Sequence, residues 1–337
     1  MCFNCNKKIN LKEGSYPLKK SFSFACPACK SKIKVPAQNK PSAKNNMSPD
    51  LYGQALKKKI LEETTAIPPL PEVLVKAKET IADPLKSIKD LGQIIGLDQG
   101  IAGRVLKLAN SVYYSRGNPI PTIDEACMIL GEEIIMGILL VAQMSKLLDK
   151  PLEGYNIAKG NLFYHSIAVA VAANIISHEK MPLLDYDSFA AGLMHDCGKI
   201  ALDQYLKPKQ NEFKTMITID KIKCYEAETT LFGFSHADLG AALLESWGLP
   251  EIQPHAICFH HHPLNSNNNE LAYILHVADY IAVQAEYQSS SFCHEEVFEV
   301  NKDVLNFLEI DELEMEGYLL DVRQRVEELT NDFSVEN

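Results

Sequence analysis

The residues able to carry the most chemistry are imidazoles and carboxylates in the second half of the chain. Gly192-Leu193-Met194-His195-Asp196-Cys197-Gly198-Lys199 sets a His beside an Asp, where an apolar run from Phe189 to Met194 gives out before Gly198. Adjacent side chains at a helix end point in different directions, so this pair can serve two metal ions, or one ion from two sides. Lys199 follows at a distance suited to a phosphate oxygen. His165, His236, His260, His261 and Asp279 complete a candidate set that falls near the ends or on the inner faces of five successive predicted helices. A helical bundle can aim such residues at one point. Imidazole and carboxylate together suit Fe, Mn, Zn, Co or Ni without selecting among them. Two such ions roughly 3.5–4 Å apart clamp both sides of a phosphate. Lys199 would then neutralise a phosphoryl oxygen as charge builds. A single buried His is usually a hydrogen-bonded core residue, but seven groups in one converging order are harder to account for that way. His178, His255 and His294 fit no ligand position. His262 reads as a neighbour of the ligands or as the turn before Pro263, and His276 shares a helix face with Asp279.

Four cysteines form a second constellation. Cys2-x-x-Cys5 and Cys26-x-x-Cys29 are two knuckles whose four thiolates can close a tetrahedral zinc site, giving a small β-rich zinc ribbon over residues 1–36. Strand-like runs such as Phe22-Ser23-Phe24 lie between the pairs. So few residues cannot bury a core of their own, so zinc would supply the folding energy. A redox dithiol or a disulfide pair is the alternative. Residues 1–47 hold ten lysines against Glu13 alone, a net +9; the whole chain is at −11, which leaves −20 on the remainder. A basic head on an acidic body points to a head that meets nucleic acid, an acidic partner, or its own body. The other cysteines, Cys127, Cys197, Cys224, Cys258 and Cys293, are scattered and read as unpaired thiols of a reducing cytoplasm. The first residues lack the apolar stretch of a signal peptide. The segment Gly160 to His178 has no Lys, Arg, Asp or Glu, but it contains Asn161, His165, Ser166, Asn174 and Ser177, which fits a buried helix rather than a membrane span.

Positioning the imidazoles falls to an all-α body. With 337 residues and 46% hydrophobic content, the chain has material for a packed core and more than one domain. A polar linker over residues 37–50 leads into it. Helical periodicity predicts an N-terminal lobe over 51–150, with helices at 51–65, 72–82, 87–95 and 101–109. A further helix, capped by Thr122, stops at Gly131, and another covers 132–148. On this lobe Arg104, Lys107 and Asn110 form a polar side that either binds an acidic ligand or is a solvated face. The second lobe, 151–286, carries the candidate site. Its helices are one over 161–177 with His165, one capped by Asp187 and ending in His195-Asp196, and one capped by a Ser235–Asp238 capping box. Then come one opened by Pro250 and ending at His260-His261-His262, and one capped by Asn269 that carries Asp279. Residues 287–337 read as an acidic helical tail, loosely packed, with an exposed helix at 322–329.

Several of these stretches, taken in order, resemble the HDOD family of bacterial HD-related output domains. They are Ile67-Pro68-Pro69-Leu70-Pro71, Asp83-Pro84, Leu106-Lys107-Leu108-Ala109-Asn110-Ser111, and Ile123-Asp124-Glu125-Ala126-Cys127-Met128-Ile129-Leu130-Gly131. The likeness runs from about Leu51 to about Glu286. The order His … His-Asp … His … His-His … Asp is in turn similar to that of HD-superfamily metal phosphohydrolases, the HD-GYP phosphodiesterases in particular. This resemblance implies that Asp196 bridges two metals, that His165, His195 and Asp279 hold one, and that His236, His260 and His261 hold the other. Asp196 and Lys199 would be the catalytic groups. Many HDOD proteins lack several such ligands and act as non-catalytic regulators, whereas this chain keeps the whole set. It departs from the HD-GYP pattern at His262-Pro263-Leu264-Asn265, where Gly-Tyr-Pro would follow, and at Asn161, where a third-metal carboxylate would sit. Both departures argue against hydrolysis of a cyclic dinucleotide by that mechanism. The cysteine-bearing head resembles bacterial zinc-ribbon modules. Two functions are therefore expected. One is a cytoplasmic signal-transduction regulator that binds a nucleotide or a macromolecular partner, with nucleic acid as a possible target of the ribbon. The other is a metal-dependent phosphohydrolase acting on a nucleotide or phosphodiester.

Overall fold

The computed structural model describes residues 22–25, 32–35, 49–63, 72–110, 119–290 and 299–333. The chain divides into two units, Met1–Ser48 and Pro49–Asn337. In the first, β1 (Phe22–Ala25) pairs antiparallel with β2 (Lys32–Val35), with Phe22 opposite Val35 and Phe24 opposite Ile33. Cys2, Cys5, Cys26 and Cys29, expected to hold zinc, lie outside the described residues, as does most of the expected linker.

The second unit is helical throughout its described length. It begins with α1 (Pro49–Glu63), α2 (Glu72–Ala82), α3 (Ile88–Gly96) and α4 (Gln99–Ala109). Ser87 starts α3 in the way a capping box does: the Asp90 carboxylate accepts from the Ser87 amide at 2.7 Å and from its hydroxyl at 2.9 Å. The apolar positions Leu91 and Ile95, one turn apart, are then fully buried. Asn110 does not present a polar face to a ligand. Its side chain donates to the carbonyls of Leu106 and Ile120 and accepts from the Ile120 amide, clamping the return of the chain. The predicted pair of helices on either side of Gly131 is present within α5 (Ile123–Leu148), which is interrupted at Gly131, where the backbone is non-helical at φ 79° and ψ 169°. That left-handed conformation favours glycine.

The central element is α6 (Asn161–Lys180), the charge-poor helix, which is buried on nearly all sides. Against it pack α7 (Asp185–Met194), α13 (Glu270–Gln284) and α15 (Glu312–Phe333). Between α7 and α13 in sequence lie α8 (Cys197–Leu206), α9 (Gln210–Thr218), α10 (Cys224–Phe232), α11 (His236–Ser246) and α12 (Ile252–Phe259). Before α15 comes α14 (Lys302–Leu308). Three predicted caps are present: the Thr122 side chain accepts from the Glu125 amide at the start of α5, Ser235 with Asp238 opens α11, and the Asn269 side chain accepts from the Ala272 amide to open α13. A fourth is not. α7 starts three residues earlier than expected, Leu184 stands in its cap position, and the Asp187 carboxylate instead accepts from Gln253 Nε2 at 2.6 Å. The acidic tail is also not loosely packed. α15 runs for 22 residues and buries Tyr318, Val322 and Val326 completely or nearly so. The Tyr318 hydroxyl donates to Glu179 at 2.6 Å, and Lys180 pairs with Glu314 at 2.7 Å. Cys127 and Cys197 are buried free thiols, but Cys224 is disulfide-bonded, so the scattered cysteines are not all unpaired. Among the described residues, no helix is long and apolar enough to cross a membrane.

Two glycines set the spacing of the bundle around His195 and Asp196. A Cβ on Gly192 would lie 2.7 Å from Ala170 Cα, so α7 meets α6 backbone to backbone. A Cβ on Gly198 would overlap the His236 carbonyl oxygen, so the start of α8 seats directly on the start of α11. No rotamer adjustment relieves a clash with backbone atoms. Gly198→Ala is expected to lower the unfolding free energy by about 1–3 kcal/mol in urea titrations. Gly103→Ala, at an exposed position of α4 with open space around it, is expected to raise it by about 0.5–1 kcal/mol.

Candidate metal centre

All seven expected side chains converge. His165 enters from the first turns of α6, His195 and Asp196 from the junction of α7 and α8, and His236 from the first position of α11. His260 and His261 follow the last residue of α12, and Asp279 comes from the middle of α13. They include two triads of ligand atoms, His165 with His195 and Asp279, and His236 with His260 and His261, within which all atoms lie within 4.8 Å of one another, and a third such group, His195 with Asp196 and His260, that joins the two. Asp196 stands between the triads. Its Oδ2 is 3.4 Å from His195 Nε2 and 3.6 Å from His165 Nε2, while its Oδ1 is 3.1 Å from His236 Nε2. Asp279 Oδ1 completes the first triad at 3.4 Å from His165 Nε2.

The hydrogen bonds around the rings fix which nitrogen faces inward. His165 Nδ1 lies 2.7 Å from the Tyr287 carbonyl oxygen, His195 Nδ1 2.7 Å from that of Gly192, and His260 Nδ1 2.6 Å from that of Ile257. A carbonyl can only accept, so each Nδ1 carries the hydrogen. His236 Nδ1 donates in the same way to the Glu228 carboxylate, at 2.8 and 2.9 Å. Each Nε2 therefore turns a lone pair into the cluster. Two such nitrogens, on His165 and His195, are 3.2 Å apart, and lone pairs at that distance require a cation between them, a proton or a metal ion. His261 Nε2 lies 3.1 Å from His236 Nε2, and with no partner fixing the His261 hydrogen on Nδ1 it can donate there. His260 Nε2 and Asp196 Oδ1 are buried without an aligned hydrogen-bond partner among the described residues. Orphaned buried polar atoms are rare, and an ion is one of their ordinary explanations. The donor set of five imidazoles and two carboxylates fits a pair of divalent transition metal ions.

Electrostatics divide the cluster. Burial holds the His165 imidazole below its ordinary pKa, and burial together with the charges of His195 and His236 pushes His260 well below, so both rings favour the neutral, metal-binding form. Burial also opposes charge on His236, but the Glu228 carboxylate overrides it and lifts the ring to about 9. Burial would raise Asp196, yet Lys199 and His195 hold its carboxyl well below the usual carboxylate range. Lys199, 6% exposed, donates to Asp196 Oδ2 at 2.6 Å. Its charge is directed to the Asp196 carboxylate rather than outward.

The remaining histidines are placed apart from the triads. His276 Nδ1 bonds the His260 carbonyl, and its Nε2 accepts from the Asn301 amide, so it braces the ligand loop. His178 pairs with Asp185 at the surface, and His255 bonds Asn269. Met194 and Cys197 are core residues, as expected. His294 lies outside the described residues.

Sequence reasoning missed Glu228. It is fully buried on α10 and accepts from the His236 amide at 2.6 Å, from His236 Nδ1, and from the Tyr155 hydroxyl at 2.8 Å. A carboxylate behind a metal-ligating imidazole fixes its tautomer and strengthens it as a donor. The available signal was an acidic residue one helix before His236, next to Ala227 on a face that the helix periodicity turns inward. Glu228→Gln keeps the shape but sets an amide against N–H and O–H donors, and is expected to cost about 1–3 kcal/mol of stability by urea unfolding.

Comparison with known proteins places this geometry. The HDOD domain model matches residues 67–263. A crystal structure of a Geobacter sulfurreducens HDOD domain protein of unknown function superposes with a TM-score of 0.64 at 24% identity, covering 82% of this chain and 97% of that one. A Shewanella amazonensis protein, provisionally named a metal-dependent phosphohydrolase, superposes with a TM-score of 0.53 at 21% identity, covering 83% of this chain and 98% of that one. Both likenesses establish the fold. A Treponema pallidum protein is 25% identical over 206 residues, which span 60% of this chain but only 39% of the relative's length. Because the family model spans more than half of the 337 residues, and the helical body has the same fold as a solved member, the chain belongs to the HDOD domain family.

Proposed function

We propose that the helical body is a metal-dependent phosphohydrolase that acts on a phosphoester, a nucleotide or phosphodiester being the substrate class. The observation that carries this reading is the pair of inward-facing Nε2 contacts on either side of Asp196. A bound pair of divalent ions would supply Lewis-acid polarisation of a phosphoryl group and a nucleophile available at neutral pH. His165, His195 and Asp279 would hold one ion, His236, His260 and His261 the other, and Asp196 would face both. The chain's own residues account for the rest. Glu228 keeps the His236 hydrogen on Nδ1, and Lys199 keeps Asp196 ionised and aimed between the triads. The provisional naming of the Shewanella relative agrees with this chemistry.

A second reading rests on Lys199. An amine bound to Asp196 and almost sealed from water has no free charge to offer a phosphoryl group. This favours a regulator that binds a phosphorylated ligand through its ions and does not turn it over. A four-cysteine zinc ribbon, within a head that carries +9 over residues 1–47, would then serve as the arm that contacts nucleic acid or an acidic protein.

Metal content and turnover separate the two readings. The full chain is expected to hold two divalent ions more than its Asp196→Ala variant by elemental analysis. It is also expected to hydrolyse at least one member of a panel of phosphodiesters and nucleotides that the variant leaves intact. Metal without turnover across the panel supports the regulator. Equal metal content in the two proteins removes the dinuclear centre from both readings.

A further inference from the structure

The two triads are not equally secured. Of the five imidazoles, four are pinned through Nδ1: His165, His195 and His260 by main-chain carbonyls, and His236 by Glu228. His261 is the exception. Among the described residues its only hydrogen-bond contact is Nε2 against His236 Nε2, inside the cluster, and nothing holds Nδ1. It is also the one ligand of the seven that is not buried. A ring held only through its metal-facing nitrogen can swing once the ion leaves.

What it has instead is an aromatic neighbour. The Tyr225 ring, from the first turn of α10, stacks on His261 with centroids 4.5 Å apart and planes 18° from parallel. His262 meets the same tyrosine edge-on at 4.9 Å and 87°. Tyr225 is therefore lodged against both residues that follow His260. Its hydroxyl plays little part in this: its contact is Glu226 Oε1 at 3.5 Å, the outer limit of a hydrogen bond. The ring face is what touches the ligand.

We infer that Tyr225 is a positioning residue for His261, holding by stacking the one ligand that no hydrogen bond orients, and that the ion held by His236, His260 and His261 is consequently the exchangeable member of the pair. This rests on the dinuclear reading above and goes beyond it, because it ranks the two ion positions and assigns the difference to a residue outside the ligand set. An ion held by His165, His195 and Asp279 would have only buried ligands, two of them rings braced by carbonyls. One held by the other triad would have the partly exposed His261 among its ligands.

Manganese is a suitable probe, because Mn2+ takes imidazole and carboxylate ligands while thiolates select softer ions, so the cysteines of the head do not contribute. Free Mn2+ is followed by its electron paramagnetic resonance signal as the ion is titrated into chelator-treated, full-length protein. Wild type is expected to bind two equivalents in two steps. Tyr225→Ala is expected to keep the tighter step unchanged and to weaken the other by about tenfold. Tyr225→Phe, which keeps the ring, is expected to bind as wild type does. His261→Ala should lose the same step that Tyr225→Ala weakens. Thermal unfolding of metal-free Tyr225→Ala should match metal-free wild type, as a residue near the surface allows. Two wild-type-like steps in Tyr225→Ala overturn the inference, and so does equal weakening of both steps, which marks a general structural role. Loss of the weaker step in Tyr225→Phe also overturns it, since the hydroxyl would then be responsible. A wild-type protein that binds no Mn2+ fails before any variant is compared, and takes the dinuclear reading down with the assignment of Tyr225.

Discussion

Imidazole nitrogens brought lone pair to lone pair repel unless positive charge stands between them. The body of this protein creates that situation at 3.2 Å between His165 and His195. Each of the buried rings has its hydrogen committed on the far side, so none except by gaining a proton can turn a donor inward. The carboxylate of Asp196 adds negative charge between the pairs, and Lys199 offsets only part of it. A cluster of this kind is costly to bury without a cation, and the helices around it are arranged as if that cost is met by an ion.

The packing explains how the arrangement is held. α6 is nearly devoid of charge and takes neighbours on most of its circumference, so His165 projects from a helix packed on nearly all sides. Gly192 brings α7 onto α6, and Gly198 brings α8 onto α11, each at distances that no side chain permits. These two contacts set the separation of His195 and Asp196 from His165 on one side and His236 on the other. α15, expected to trail loosely, instead closes over α6 with Tyr318, Val322 and Val326. The acidic residues that suggested a solvated tail occupy its outer positions and say little about its inner ones.

Much of this was legible in the sequence because it is carried by side-chain type and spacing. Ser235-x-x-Asp238 announced the start of α11, Asn269 that of α13, and the ligand order announced the cluster. What escaped was tertiary. Asp187 looks like a cap by composition, but a glutamine from another helix claims it. Glu228 and Tyr225 carry no local pattern, because their importance lies in which ring they face across the bundle. The four cysteines of the head fall outside the described residues and stand as the sequence left them.

Three of the four pinned rings are oriented by peptide carbonyls, those of Tyr287, Gly192 and Ile257. A carbonyl is present whatever residue supplies it. Substitutions at 287 and 257 can therefore accumulate over evolutionary time without disturbing ligand orientation, provided the chain keeps its path. A one-residue insertion or deletion between Asp279 and Tyr287, by contrast, would carry the carbonyl away from His165 while leaving every ligand in place.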